Sequence, residues 1–199
     1  MIAPKHNPFR AQQLDAIAYR PIGVTWEQID ARLAALRCRA AIRGPHGSGK
    51  TTLIDALHHR LAAQGLRIVR VHLQRDTPPP TRSELAALTA TLGPGDVLMY
   101  DGADHLPMLR WRQLRRATRE IASFIVTTHR RRLLPTLVRT RTTPALLRHL
   151  VAELLADRAR SDIAARCDTL FTEHRGNLRD ALRACYHLAS SPRRQAAKR

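Results

Sequence analysis

The chain has 199 residues, 44% of them hydrophobic, and a formal charge of +18 at pH 7; lysine stands only at positions 5, 50 and 198, so arginine carries nearly all of that charge. The length supports one sizeable core with a small appended subdomain, and the apolar content excludes a disordered polyelectrolyte. No apolar run reaches the roughly 18 residues of a membrane-spanning helix. Residues 1–8 lack the apolar core of a secretion signal. Cys38, Cys167 and Cys185 are odd in number, widely spaced and set mostly among apolar neighbours. They predict reduced core thiols in a cytoplasmic protein, not a disulfide framework or a metal site.

Residues 1–24 are proline-punctuated and read as an irregular N-terminal linker. A helix starts at Thr25, whose spacing to Gln28 is that of a capping box, and Trp26, Ile29, Leu33 and Leu36 recur along one face. Cys38–Arg43 is a first strand, followed by a glycine-rich loop and a helix from Lys50 to about Gln64, stopped at Gly65. Leu66–Leu73 is a second strand. A helix begins near Ser83, where Ala86 three positions on leaves no capping box. Asp96–Tyr100 is a third strand, Met108–Glu120 a helix, Ala122–Thr127 a fourth strand and Leu137–Arg141 a fifth. Strands alternating with helices predict a parallel sheet covered on both faces. Beyond Pro144 the pattern is helical, with helices over Pro144–Ala156, Ser161–Glu173 and Asn177–Ser190, and a basic tail over residues 191–199. The expected organisation is therefore a linker (1–24), an α/β domain (25–143), a helical subdomain (144–190) and the tail.

The glycine-rich loop, Gly44-Pro45-His46-Gly47-Ser48-Gly49-Lys50-Thr51, matches G-x-x-x-x-G-K-[ST] in full and lies between a strand and a helix, the context that motif requires. Its glycines let successive N–H groups turn toward a phosphate, and the helix N-terminus adds partial positive charge. ATP is the expected ligand, with Lys50 bridging its β- and γ-phosphates, Thr51 offering a hydroxyl to Mg2+, and Thr52 within reach of the α-phosphate. The strand Val97-Leu98-Met99-Tyr100-Asp101 ends in a carboxylate, the form of a Walker B strand whose Asp holds Mg2+. The next residue is Gly102, where many hydrolytic P-loop proteins have a Glu that activates water. Asp104 is the following acid. It either positions water or serves as a first-turn acid of the next helix. The fourth strand ends in Thr127-Thr128-His129, each a candidate to touch the γ-phosphate. Arg130, Arg131 and Arg132 follow, and read either as an arginine finger reaching another subunit or as a solvated basic turn.

On these residues the chain resembles the additional-strand P-loop ATPases, and within them the AAA+ and STAND classes. The Asp101 strand comes third and a polar-tipped strand follows it, as in AAA+ proteins, where that tip is called sensor 1. Asp101-Gly102-Ala103-Asp104 is similar to the small-residue Walker B of NACHT-type STAND ATPases, and Gly176-Asn177-Leu178-Arg179-Asp180-Ala181-Leu182 to the sensor 2 segment of AAA+ lids. The resemblance implies a three-layer sandwich with a mainly parallel five-stranded sheet in the order 5-1-4-3-2 and a small helical lid. It implies catalytic roles for Lys50, Asp101, Asp104, Thr128 and Arg179, with Arg179 reaching the γ-phosphate from the lid, and assembly into a homo-oligomer or with a larger protein. Asn7-Pro8-Phe9 is similar to a linker that packs near adenine in some AAA+ relatives. The chain departs from those families at Gly102, and has no room for the further domains of a full STAND protein.

Arg112, Arg115, Arg116 and Arg119 fall on one face of the helix after Asp101, opposite Trp111, Leu114, Thr118 and Ile121, which are expected to bury against the sheet. An arginine stripe is often a solvated face, but four like charges in two turns repel one another less beside a polyanion, so DNA or RNA is a candidate partner. The readings carried forward are an ATPase or ATP-gated switch, a nucleoside or small-metabolite kinase, and a nucleic-acid-binding module that holds nucleotide without useful turnover. Strand order separates the first two: the switch places the fourth strand between the first and third, while most kinases set those two side by side.

Overall fold

The computed structural model describes residues 7–15, 17–74, 76–131, 133–156 and 161–191. In chain order its elements are α1 (Ala11–Asp15), α2 (Trp26–Ala35), β1 (Arg39–Arg43), α3 (Lys50–Ala62), β2 (Ile68–His72) and α4 (Arg82–Ala90). There follow β3 (Val97–Asp101), a short 3-10 turn (Ala103–His105), α5 (Met108–Ala117), β4 (Ser123–Thr128) and β5 (Thr136–Arg139). The chain ends in α6 (Pro144–Leu155), α7 (Ser161–Ala164), α8 (Cys167–Glu173) and α9 (Leu178–Ser190).

Two compact units divide the described residues: one within Tyr19–Pro45 and Gly49–Thr140, the other within Met1–Ala18, His46–Ser48 and Arg141–Arg199. The first holds a five-stranded sheet in the order β2-β3-β4-β1-β5, the order expected from the sequence, with all four pairings parallel. Every residue of β3 and β4 is buried, as parallel strands covered on both faces must be. Alternation along the strands sends Ala41, Leu98, Tyr100, Phe124 and Val126 to one face, where Leu85 of α4 and Trp111 and Leu114 of α5 pack on them. Ala40, Ile42, Val97, Met99 and Ile125 face the other way, onto Ile29 and Leu33 of α2 and Leu53, Ile54 and Leu57 of α3. Trp111 is core: its ring stacks on Phe124 at 5.8 Å.

The capping box expected at Thr25 and Gln28 is present. The helix placed near Ser83 without a box starts at Arg82: Thr81 is the N-cap, and Glu84 completes a box that reading from Ser83 misses. The second unit packs α6, α7, α8 and α9 around Leu147, Val151, Ile163, Cys167, Leu170, Ala181 and Cys185, with Phe9 in the same cluster. The single helix expected over 161–173 is two, because the Arg166 N–H bonds to the Ile163 carbonyl at 3.0 Å in a tighter turn. Nor is the N-terminal segment wholly irregular, since α1 lies in it. Asn7, 1% exposed, donates to Tyr186 O at 2.9 Å and to Ser190 Oγ at 2.8 Å, which ties it to α9. Among the described residues no helix is long and apolar enough to cross a membrane. Of the basic tail expected over 191–199, residues 192–199 lie outside the described residues, as does Arg132.

Candidate functional site

The phosphate loop leaves the end of β1 and enters α3 at Lys50, with Gly49 as the N-cap. A glycine there brings no side-chain acceptor to the first turn, so a 13-residue helix offers its N-terminal N–H groups without a side-chain cap. The Lys50 ammonium donates to Gly44 O at 3.0 Å and to Pro45 O at 2.8 Å, and lies 3.3 Å from Nε2 of His129. It is thus held at the loop's own carbonyls, where an anion could draw it forward. Thr51 and Thr52 follow on the first turn of α3, half-buried, while Pro45 and His46 are exposed and Ser48 is buried. In the second unit Gly47 has φ +66°, and a Cβ there would lie 1.7 Å from Oδ1 of Asn177, the N-cap of α9. Only glycine fits.

Asp101 ends β3 with its side chain 5% exposed. A buried carboxylate needs partners, and it has them on both oxygens. Oδ1 accepts the Thr127 hydroxyl from the neighbouring β4, and Oδ2 lies 3.0 Å from Nδ1 of His72, its register partner on β2. Arg70 approaches the same oxygen at 3.9 Å. The Thr127 hydroxyl in turn accepts the Gly102 N–H at 2.8 Å. Thr128, fully buried, accepts the Arg130 N–H at 2.9 Å instead. Of the three polar residues at the β4 tip, the structure therefore brings Thr127 to Asp101 and His129 to Lys50, and turns the Thr128 hydroxyl to its own turn.

Gly102 has φ +91°, and a Cβ there would sit 2.2 Å from Leu73 O. The Leu73 N–H is bonded to Asp101 O at 2.8 Å, so β2 runs close beside the chain at this point. No side chain, and so no glutamate, fits at position 102. Asp104 lies in the 3-10 turn with its side chain 10% exposed, 3.9 Å from Nε2 of His105. Arg179 is an exposed residue in the first turn of α9, and Asn177, two residues before it, caps that helix by accepting the Asp180 N–H at 3.3 Å. The partnership of His72 with Asp101 is the one sequence reading missed. Its only signal is the parallel register of β2 and β3, which no local motif encodes.

A strand, a glycine-rich loop and a helix N-terminus, with a carboxylate two strands away at the same sheet end, are the parts of a phosphate site. Among the described residues no group of three or more His, Cys, Asp and Glu could hold a metal alone. No protein-family model and no curated protein matches the chain. Among solved structures, NtrX from Brucella abortus, crystallised in complex with ATP, superposes with a TM-score of 0.50 over 94% of this chain at 15% identity. The fold is a P-loop NTPase-like sandwich. At that identity the likeness speaks for the fold alone, and this chain spans 54% of the NtrX chain.

Proposed function

We propose that the protein binds ATP at the phosphate loop and works as an ATP-gated switch of AAA+/STAND-like type, with slow hydrolysis and contact to nucleic acid through the arginines of α5. The observation that carries the reading is the position of β4 between β1 and β3, with Thr127 bonded to Asp101 and His129 beside Lys50. A kinase of the usual plan sets β1 and β3 side by side, so the strand order favours the switch. In this reading Lys50 moves from the loop carbonyls to the β- and γ-phosphates of ATP, and the backbone N–H groups from Gly47 to Thr52 cradle them. Thr51 and Asp101 would hold Mg2+, which neutralises phosphate charge when bound. Asp104 orients water, His129 beside Lys50 and Arg179 act as the two sensors, the Thr128 hydroxyl being taken by its own turn, and glycine at 102 removes the usual general base.

Titration calorimetry with ATP and Mg2+, together with phosphate release, tests it. Wild type binds ATP and turns over below roughly 1 per second, the low edge of ordinary enzymes. Lys50→Ala loses about tenfold to hundredfold in affinity, the worth of one charge-assisted contact. Asp104→Ala keeps binding and loses turnover. Tight ATP binding retained in Lys50→Ala would end the reading.

A further inference from the structure

A second basic feature lies on the sheet face covered by α4 and α5, beginning at Arg43, the last residue of β1. Alternation along β1 sends Arg39 and Arg43 to the same side as Ala41. Arg39 is spoken for: its guanidinium lies 5.3 Å over the Phe124 ring and donates to Thr118 O at 2.5 Å. Arg43 is not. Its Nη1 reaches Thr136 Oγ1 at a long 3.3 Å, and its Nε is buried with no hydrogen-bond partner. Beside it opens a groove of about 560 Å³, lined by Arg43, Arg115 and Arg131 and by the apolar run Leu133-Leu134-Pro135. Among the described residues lining it none is acidic. Three guanidiniums therefore share one concavity with a single hydroxyl, Thr136, for company. The crowding of positive charge extends to Arg39, whose pKa is pushed down first by burial and then by Arg115 and Arg119.

The structure assigns this groove to single-stranded nucleic acid: we propose that a phosphate of the strand sits among Arg43, Arg115 and Arg131 while its base lies on Leu133-Leu134-Pro135. This deepens the nucleic-acid part of the functional reading and stands independently of ATP. The volume falls within the roughly 300–1,000 Å³ of sites built for organic ligands, far more than one phosphate fills. Its lining combines three guanidiniums with an apolar run, the two chemistries that a nucleotide presents. Duplex keeps its bases stacked inside and has none to lay on the apolar wall, whereas a single strand splays them out. Arg112, Arg116 and Arg119 are exposed on α5 and just beyond it, on either side of Arg115. They extend the charge by about 10 Å at 1.5 Å per residue, enough for neighbouring phosphates.

The test is fluorescence anisotropy of the full chain with labelled oligo(dT) and oligo(U) of roughly 12 nucleotides, without ATP, between ~50 and ~200 mM salt. Both strands bind, and affinity falls steeply with salt. Arg115→Gln combined with Arg131→Gln weakens binding at least tenfold and lowers the log–log salt slope by about 0.7, the share of the one single-strand phosphate they hold. Arg60→Gln, on α3 across the sheet, removes one positive charge outside the groove and changes affinity less than about twofold at an ionic strength where screening acts over ~10 Å. Both groove arginines are exposed, so their variants are expected to fold. On the unaltered protein, oligonucleotide should also shield Arg115 and Arg131 from phenylglyoxal. An unchanged slope in the double variant, absence of that shielding, tighter binding of duplex than of single strand, or equal binding of inorganic tripolyphosphate would each overturn the assignment. Failure here leaves ATP binding untouched, and a Lys50→Ala variant that loses ATP but keeps the oligonucleotide separates the two readings.

Discussion

The hydroxyl of Thr127, near the end of β4, is bonded to the Asp101 carboxylate at the end of β3, and the same oxygen takes the Gly102 N–H. One side chain so fixes both the rotamer of the acid and the path of the chain that leaves it. Thr127→Val strands two buried polar groups at once. The expected loss is about 1–3 kcal/mol, read from urea denaturation, with a smaller stabilisation by MgATP in thermal melts. Thr127→Ser keeps both bonds and should restore most of each effect.

Gly102→Ala tests the close approach of β2. A Cβ at φ +91° and 2.2 Å from Leu73 O has nowhere to go. Left-handed backbone and the clash together should cost more than ~2 kcal/mol, measured as a fall in the urea midpoint. Gly102→Glu, which installs the acid that many hydrolytic P-loop proteins carry there, should destabilise at least as much and bring no gain in turnover. Faster hydrolysis in a folded Gly102→Glu protein would contradict this account of the site.

Glu84 supplies an acid-dependent part of stability. Hydrogen bonds from the Thr81 N–H, then from the Thr81 hydroxyl, hold its pKa below the ordinary 4.5. A lowered folded-state pKa means stability present above 4.5 and lost as pH falls through the folded value. Thermal melts of wild type and Glu84→Gln should therefore converge as pH drops below 4.5, with wild type the more stable above it.

Thiol chemistry should sort the cysteines by depth. Cys185 is fully buried and its pKa is raised to about 12, chiefly by burial; Cys167 is buried and raised for the same first reason. Cys38 is half-buried. A thiol reagent should label Cys38 alone in the native protein and all three after denaturation, as mass spectrometry would show. A raised folded-state pKa also sets a sign: the Cys185 contribution is complete below the unfolded value near 9.0 and declines as pH rises from there toward 12.

Legibility followed the range of the interaction. The glycine-rich loop and the five strands were readable because each rests on a local pattern, while the strand order followed from the family resemblance. Capping at Thr25 was readable for the same reason. The box at Thr81 was just as local, and was missed only because reading began two residues late, at Ser83. The break at Arg166 was hidden, since Ile163, Cys167 and Leu170 keep helical spacing across it. At the β4 tip the sequence offered three polar residues with nothing to rank them; strand register and pleat decide which one meets Asp101.

The amino-acid sequence by itself determined the glycine-rich loop, the acid at the end of the third strand and the strong positive charge, because glycine spacing, apolar runs and residue counts need no partner in space. Tertiary structure decided the rest. The pairing of β3 with β2 on one side and β4 on the other gives Asp101 both His72 and Thr127, and the closeness of Leu73 forbids a side chain at 102. The gathering of Arg43, Arg115 and Arg131 into one groove joins residues up to 88 positions apart, from 43 to 131. Contacts of that separation arise only when the sheet is assembled, and no pattern along the chain carries them.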